Sequence, residues 1–250
     1  MEKVREVRKL SDISIYMYRP FEGKDAVIIE GFPSVGLVSM LAAGYIVSNL
    51  KLKKLGVIVS PHMPMVSVIT QGTPSHPIRI YGNDKVVVFI SEFYPPDKLI
   101  LPLTQKIFEF MNAYECKAII TTEGIESGGE ISKDVNVYGI ATTEEYREKL
   151  KDLGIPLLYD AILTGVTGML LNEGERTRRN VVGLIAESHK EYPDARAAAK
   201  IVEKISALVN LEIDVEPLYQ EAEVLERKIK SQLEKAKPHI EKHRYMGMFA

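Results

Sequence analysis

Short apolar runs alternate along this chain with longer stretches in which apolar residues recur every three or four positions. ISIYMY (13–18), AVIIE (26–30), LGVIV (55–59), MVSVIT (65–70) and KVVVFIS (85–91) have the length and β-branched content of strands. KAIITT (117–122), 136–141, 156–159 and NVVGLIAE (180–187) continue the series. The 85–91 run is apolar on both faces, as a central strand of a covered sheet requires. Between these runs the spacing predicts helices over 35–49, from Asp97 to about Tyr114, over 143–153, and from Asp194 through DARAAAKIVEKISALVNL. Residues 123–130 read as a loop, and LTGVTGMLLNEG (163–174) as a glycine-punctuated segment. Strands alternating with helices predict a three-layer α/β/α domain with a mostly parallel sheet, over residues 1–212.

The end of the chain differs in kind. From Asp214 to Lys237 the residues Val215, Leu218, Ala222, Leu225, Ile229 and Leu233 form one apolar seam on an otherwise charged helix. Straight, such a helix (213–237) runs roughly 35 Å. It either projects as an oligomer contact or folds back on its own domain. Pro238 ends it, and 238–250 is a polar tail with an apolar, aromatic tip.

Composition narrows the function classes. Charge is balanced, 32 basic against 34 acidic residues for a net −2, so nothing points to nucleic acid. No run approaches the roughly 18 apolar residues of a membrane span, and MEKVREVRKLSD lacks a signal-peptide core. One cysteine, Cys116, leaves no internal disulfide or cysteine metal cage. The expected setting is reducing and cytoplasmic. The absence of Trp and the Lys/Glu-rich surface resemble thermophile usage.

Candidate chemistry gathers where strands end. Gly31-Phe32-Pro33-Ser34-Val35-Gly36 joins a strand to a helix, but Leu37-Val38 follows where a Walker loop has Lys and Ser/Thr, and the dinucleotide glycine spacing is broken. Backbone amides there suit an anion; the structural alternative is a turn that seats a helix against the sheet, helped by Ala42, Ala43 and Gly44. Glu30, Glu92 and Glu123 each close or follow a strand, which brings three carboxylates toward one sheet end. Glu126 and Glu130 lie in the loop beyond. Gly165, Thr167 and Gly168 offer amides and a hydroxyl to a phosphate, or simply close packing. With Ser34, these positions outline a possible anion or ligand pocket. None of the five histidines forms H-E-x-x-H. The one close pair, His239 and His243, has a spacing that would suit a metal on a helix, but it follows Pro238 in polar surroundings that suit solvated residues. No catalytic set is assembled. No metal or cofactor is expected.

GFPSVGLVSMLAAGYIV, LTGVTGMLLNEG and PDARAAAKIVEKISALVNLEIDVEPLYQEA, in this order and separation, resemble the PAC2 family of proteasome-assembly-chaperone-like proteins, its archaeal members in particular. The resemblance spans about residues 25 to 235. It implies a nucleoside-phosphorylase-like fold without that family's catalytic residues. It also implies homo-oligomers, tetramers or pentamers, and partners among proteasome subunits or assembly factors. Relatives that dock on proteasomes end in a hydrophobic residue, Tyr and any residue; this chain has Met248-Phe249-Ala250, which keeps the ring and lacks the phenol hydroxyl. Tyr245, Met246, Met248, Phe249 and Ala250 are the expected partner-binding residues.

Two functions follow. One is a non-enzymatic, homo-oligomeric scaffold or chaperone that binds partners through its C-terminal tails. The other is an enzyme acting on a nucleoside or phosphorylated small molecule (phosphorylase- or hydrolase-like, or an ATP-dependent ligase) at the strand ends.

Overall fold

In the computed structural model, residues 13–70, 72–126, 134–190, 192–224 and 227 are described. Among the described residues ten strands form: β1 (Ser14–Met17), β2 (Val27–Gly31), β3 (Lys53–Val59), β4 (Val68–Thr70), β5 (Thr73–Ser75), β6 (Ile78–Gly82), β7 (Val86–Ser91), β8 (Ala118–Glu126), β9 (Val137–Ala141) and β10 (Val181–Ser188). Between and after them lie the α-helices α1 (Val38–Asn49), α2 (Asp97–Ala113), α3 (Glu144–Asp152), α4 (Gly165–Thr177) and α5 (Ala195–Val209).

Eight strands share one sheet in the order β1-β3-β6-β7-β2-β8-β10-β9. Its centre is parallel: β2 pairs in parallel with β7 and β8, and β8 with β10. The flanks are antiparallel, β9 on β10 at one side and β6, β3 and β1 in succession at the other. β2, β3, β7, β8 and β10 therefore run the same way, and the expectation of a mostly parallel sheet holds for strand direction.

Alternation along the central strands fills two cores. Val27 and Ile29, Val86 and Val88, Ile120, and Val182 and Leu184 face α1, α3 and α5. Ile28, Val87, Phe89 and Ile119 face Leu103, Ile107 and Phe110 of α2 and Leu170 of α4. Because side chains on a strand alternate, only strands apolar at every position can serve helices on both sides. This is the α/β/α layering read from the sequence.

Four local expectations change. β4 belongs to a small hairpin with β5, outside the main sheet; the main-sheet strand is β6, where Arg79 interrupts the apolar run. Residues 123–126 continue β8 because β10 pairs with it to its end. Only Leu157 of 156–159 makes a bridge, to Gly139. The glycine-punctuated segment is α4.

Residues 216–224 are helical. Leu218 and Ala222 are buried in the core beside α1 and α5. The Tyr45 hydroxyl donates to the Asp214 carbonyl at 2.6 Å, and the Tyr219 hydroxyl to Glu203 at 2.8 Å. The first turns of the segment read as a projecting helix thus lie on the α/β body. Leu225, Ile229 and Leu233 of the seam, and Tyr245, Met246, Met248, Phe249 and Ala250, lie outside the described residues.

Candidate functional site

The parallel strands β2 and β8 lie side by side; Glu30 stands one residue before the end of β2, and Glu123 three residues before the end of β8. Glu30 is 2% exposed. Its Oε1 accepts the Phe32 amide at 2.7 Å, and its Oε2 accepts the Thr121 hydroxyl at 2.6 Å. Thr121 Oγ1 lies 2.9 Å from Thr167 Oγ1, in the first turn of α4. Glu30 is thus linked to the first turn of α4 through two threonines, one on the sheet and one on that helix. Thr167 lines a small cavity together with Glu30 and Glu123, and its hydroxyl and the amides of Gly124 and Val35 act to lower the Glu123 pKa.

Burial controls their ionisation. It pushes Glu30 up to about 7, against the lowering effect of the Thr121 and Phe32 hydrogen bonds. Glu123 rises to about 8, through burial first and the neighbouring Glu30 charge second. Tyr94, in the loop after β7, is raised by burial and by both carboxylates. The cavity lined by Glu30, Phe32, Tyr94, Glu123 and Thr167 measures about 10 Å³, roughly room for one water.

The glycine turn positions this arrangement. After β2 the chain makes a single 3₁₀ turn, Val35–Leu37, with Gly36 at φ +62°. A Cβ at Gly36 would also stand 2.7 Å from the His189 carbonyl, so both conformation and space call for glycine. Gly31 lets α1 pack on the strand: a Cβ there would fall 2.0 Å from Ala43 Cβ. Ser34 Oγ accepts the Ser39 amide at 3.2 Å and lies 2.9 Å from Ser39 Oγ, while Ser39 donates to the Thr122 carbonyl. Asp194 caps α5 by accepting the Ala197 amide at 2.9 Å, and its own amide donates to the Gly36 carbonyl at 2.8 Å.

Of the residues expected in a pocket, Glu123 and Thr167 meet, and Gly165 lies beside the Tyr94 ring. Ser34, Gly31 and Gly36 shape the turn and present no side chain to the cavity lining. Gly168 packs on the Leu163 backbone. Glu92 does not converge with the other carboxylates: the guanidinium of Arg79, 7% exposed, takes both its oxygens as a fork. Thr121 and Tyr94 were missed. The signal for Thr121 was a Thr-Thr-Glu run closing an otherwise apolar strand. Among the described residues no cluster of His, Cys, Asp and Glu suits a metal ion, and no helix is long and apolar enough to cross a membrane.

Comparison with known proteins places this architecture. The PAC2 family pattern matches residues 28–233. An uncharacterized protein of Methanocaldococcus jannaschii is 30% identical over 219 residues, 88% of this chain and 89% of that protein. The crystal structure of Pyrococcus furiosus PbaA, described as an archaeal homolog of proteasome-assembly chaperone, superposes with a TM-score of 0.80 at 31% identity, covering 94% of this chain and 99% of PbaA. P. furiosus PbaB, described as an archaeal proteasome activator, shares the fold at 23% identity and a TM-score of 0.77, over 89% of this chain and 99% of PbaB. The chain belongs to the PAC2 family.

Proposed function

We propose that this protein is a non-enzymatic, homo-oligomeric scaffold or chaperone of the cytoplasm that acts in proteasome assembly or regulation. The observation that carries this reading is the 31% identity to PbaA along 94% of the chain. Two features of the fold agree with it. The polar centre at the strand ends spends its hydrogen bonds on itself around a cavity of about 10 Å³, and Met65, Val66, Ile69, Tyr159 and Ile162 present apolar side chains to solvent. Partner contact is assigned to Tyr245, Met246, Met248, Phe249 and Ala250, and self-association to the seam that continues through Leu225, Ile229 and Leu233. The test compares the full chain with one ending at Lys237, each mixed with purified archaeal proteasome α subunits. Binding by the full chain alone, at equal oligomeric size, supports the reading; equal binding by both, or by neither, removes the tail from it.

A second reading, an enzyme on a nucleoside or phosphorylated small molecule, draws on Glu30 and Glu123, whose values near neutrality suit proton transfer. It requires the cavity to open. A thermal-shift screen of nucleosides and nucleotides separates the two, since a stabilising ligand whose effect is lost in Glu123→Gln favours the enzyme.

A further inference from the structure

Between β3 and β6 the chain leaves the main sheet and builds the β4–β5 hairpin, whose two edges differ. β5 is Thr73-Pro74-Ser75. Proline has no N–H to give a ladder, so Pro74 must sit where the backbone groups point away from the partner strand. The register places Ile69 opposite Pro74, and in an antiparallel pair both members of such a position turn outward. The outer edge of β5 therefore lacks a donor at its centre, as protected edges do. The outer edge of β4 presents both the N–H and the C=O of Ile69, and among the described residues β4 has no neighbour but β5. Nothing charged guards it. Residues 55–78 hold no Asp, Glu, Lys or Arg in a chain that is 26% charged, while Met65, Val66 and Ile69 are all more than half exposed. MVSVIT (65–70), whose last three residues form β4, is thus neutral, apolar and open on one edge, a pattern that pairs with another strand.

We propose that β4 is a self-association edge: two copies of the chain join antiparallel across a two-fold axis into one four-stranded sheet, β5-β4-β4-β5. Charge selects the occupant. A neutral edge gives a charged segment nothing in return for lost hydration, whereas a second β4 is equally neutral and matches it in register. Ile69 turns its backbone groups outward, and by alternation so does Ser67. A two-fold through Val68 sets Ile69 of each copy opposite Ser67 of the other, so each edge supplies the donors and acceptors that its counterpart needs. Pro64 stops the pairing before Met65, and the turn into β5 stops it after Thr70. A two-stranded hairpin is marginal alone in water. Lys54 of β3 donates to the Ser75 hydroxyl and ties β5 to the main sheet; the second copy does the same for β4. This contact deepens the homo-oligomeric reading and uses residues other than the Leu225, Ile229 and Leu233 seam.

The test is sedimentation of the full chain over a range of concentrations, wild type against Ile69→Lys. A lysine at this exposed position leaves the hairpin's own ladder intact and sets an ammonium beside the facing strand. Expected is an assembly in the wild type that Ile69→Lys weakens about tenfold or more, at equal melting temperature. Val68→Cys supplies a second readout. Across the two-fold its Cα atoms would stand about 4.5 Å apart, as in a non-hydrogen-bonded antiparallel pair, within the range of a disulfide. Oxidised glutathione should therefore link Val68→Cys chains into dimers and leave Thr73→Cys chains, altered on β5, unlinked; the native Cys116 is buried. A wild type that sediments as a monomer would overturn this inference and the homo-oligomeric reading together. An assembly that Ile69→Lys leaves unchanged, or in which Val68→Cys chains do not link, overturns this inference alone. The β4 edge would then belong to a different protein or to the chain's own tail.

Discussion

Glu30 shows how far one buried side chain can tie folding to pH. Its value rises from 4.5 to about 7 on folding, so the folded state holds a proton that the unfolded chain has released between those values. A raised carboxyl contributes stability that is complete below about 4.5 and is lost as pH climbs through about 7. Between pH 4 and pH 8 that loss is on the order of 3 kcal/mol, or a fall in Tm of roughly 5–10 °C for a chain of this size. Glu30→Gln should flatten the slope and melt higher than the wild type at pH 8, as scanning calorimetry at several pH values would record. Melting independent of pH in the wild type would contradict the burial argument. Gly31 makes a separate claim at this scale. Alanine there must push α1 off the strand, because its Cβ would lie 2.0 Å from that of Ala43. A cost of about 1–3 kcal/mol in urea unfolding is expected, whereas Gly44 within α1, whose Cβ would meet only Ile90 Cδ1 at 3.7 Å, has no such close contact.

Elements were legible where one physical cause decided them. β2, β7 and β10 are apolar at successive positions because both faces are covered, and that pattern is plain in the sequence. β6 was not, since Arg79 breaks its apolar run and is explained only by Glu92, which lies 13 residues away and across an antiparallel pair. The same pairing explains why Glu92 looked like a third carboxylate of the site. α4 was hidden by Gly165, Gly168 and Gly174, whose low helix propensity is overridden by close packing: a Cβ at Gly174 would stand 2.3 Å from Val181. Glu30 and Glu123 could be placed by their position after strands, while Thr121 and Thr167 become partners only once α4 is laid on the sheet. The 216–224 helix gives this scale its prediction. Leu218 is 4% exposed within the core beside α1 and α5. Leu218→Ala should therefore cost about 2–4 kcal/mol, measured by chemical denaturation. A change within about 0.5 kcal/mol would mean that the helix stands away from the body, as a surface substitution would.

For the molecule as a whole, the closed site and the proposed tail make different demands, and single substitutions can separate them. Glu30→Gln and Glu123→Gln act inside the α/β body and should leave proteasome-subunit binding unchanged, while shifting the pH dependence of melting. Phe249→Ala should do the reverse. Removing an aromatic anchor from a contact commonly costs 2 kcal/mol or more, a loss of about thirtyfold or more per site, and a residue that serves only partner contact leaves melting unchanged. Phe249→Tyr probes the contact from the other side. Where a phenol hydroxyl finds a partner, the added hydrogen bond contributes about 1 kcal/mol, so each tail should bind about fivefold more tightly. An oligomer that engages several tails at once would multiply either change through effective concentration. Surface-bound α subunits titrated with wild type, Phe249→Ala and Phe249→Tyr would read all three. Equal affinities would place the contact elsewhere on the molecule, and the exposed apolar group of Met65, Val66 and Ile69 would be the next surface to substitute.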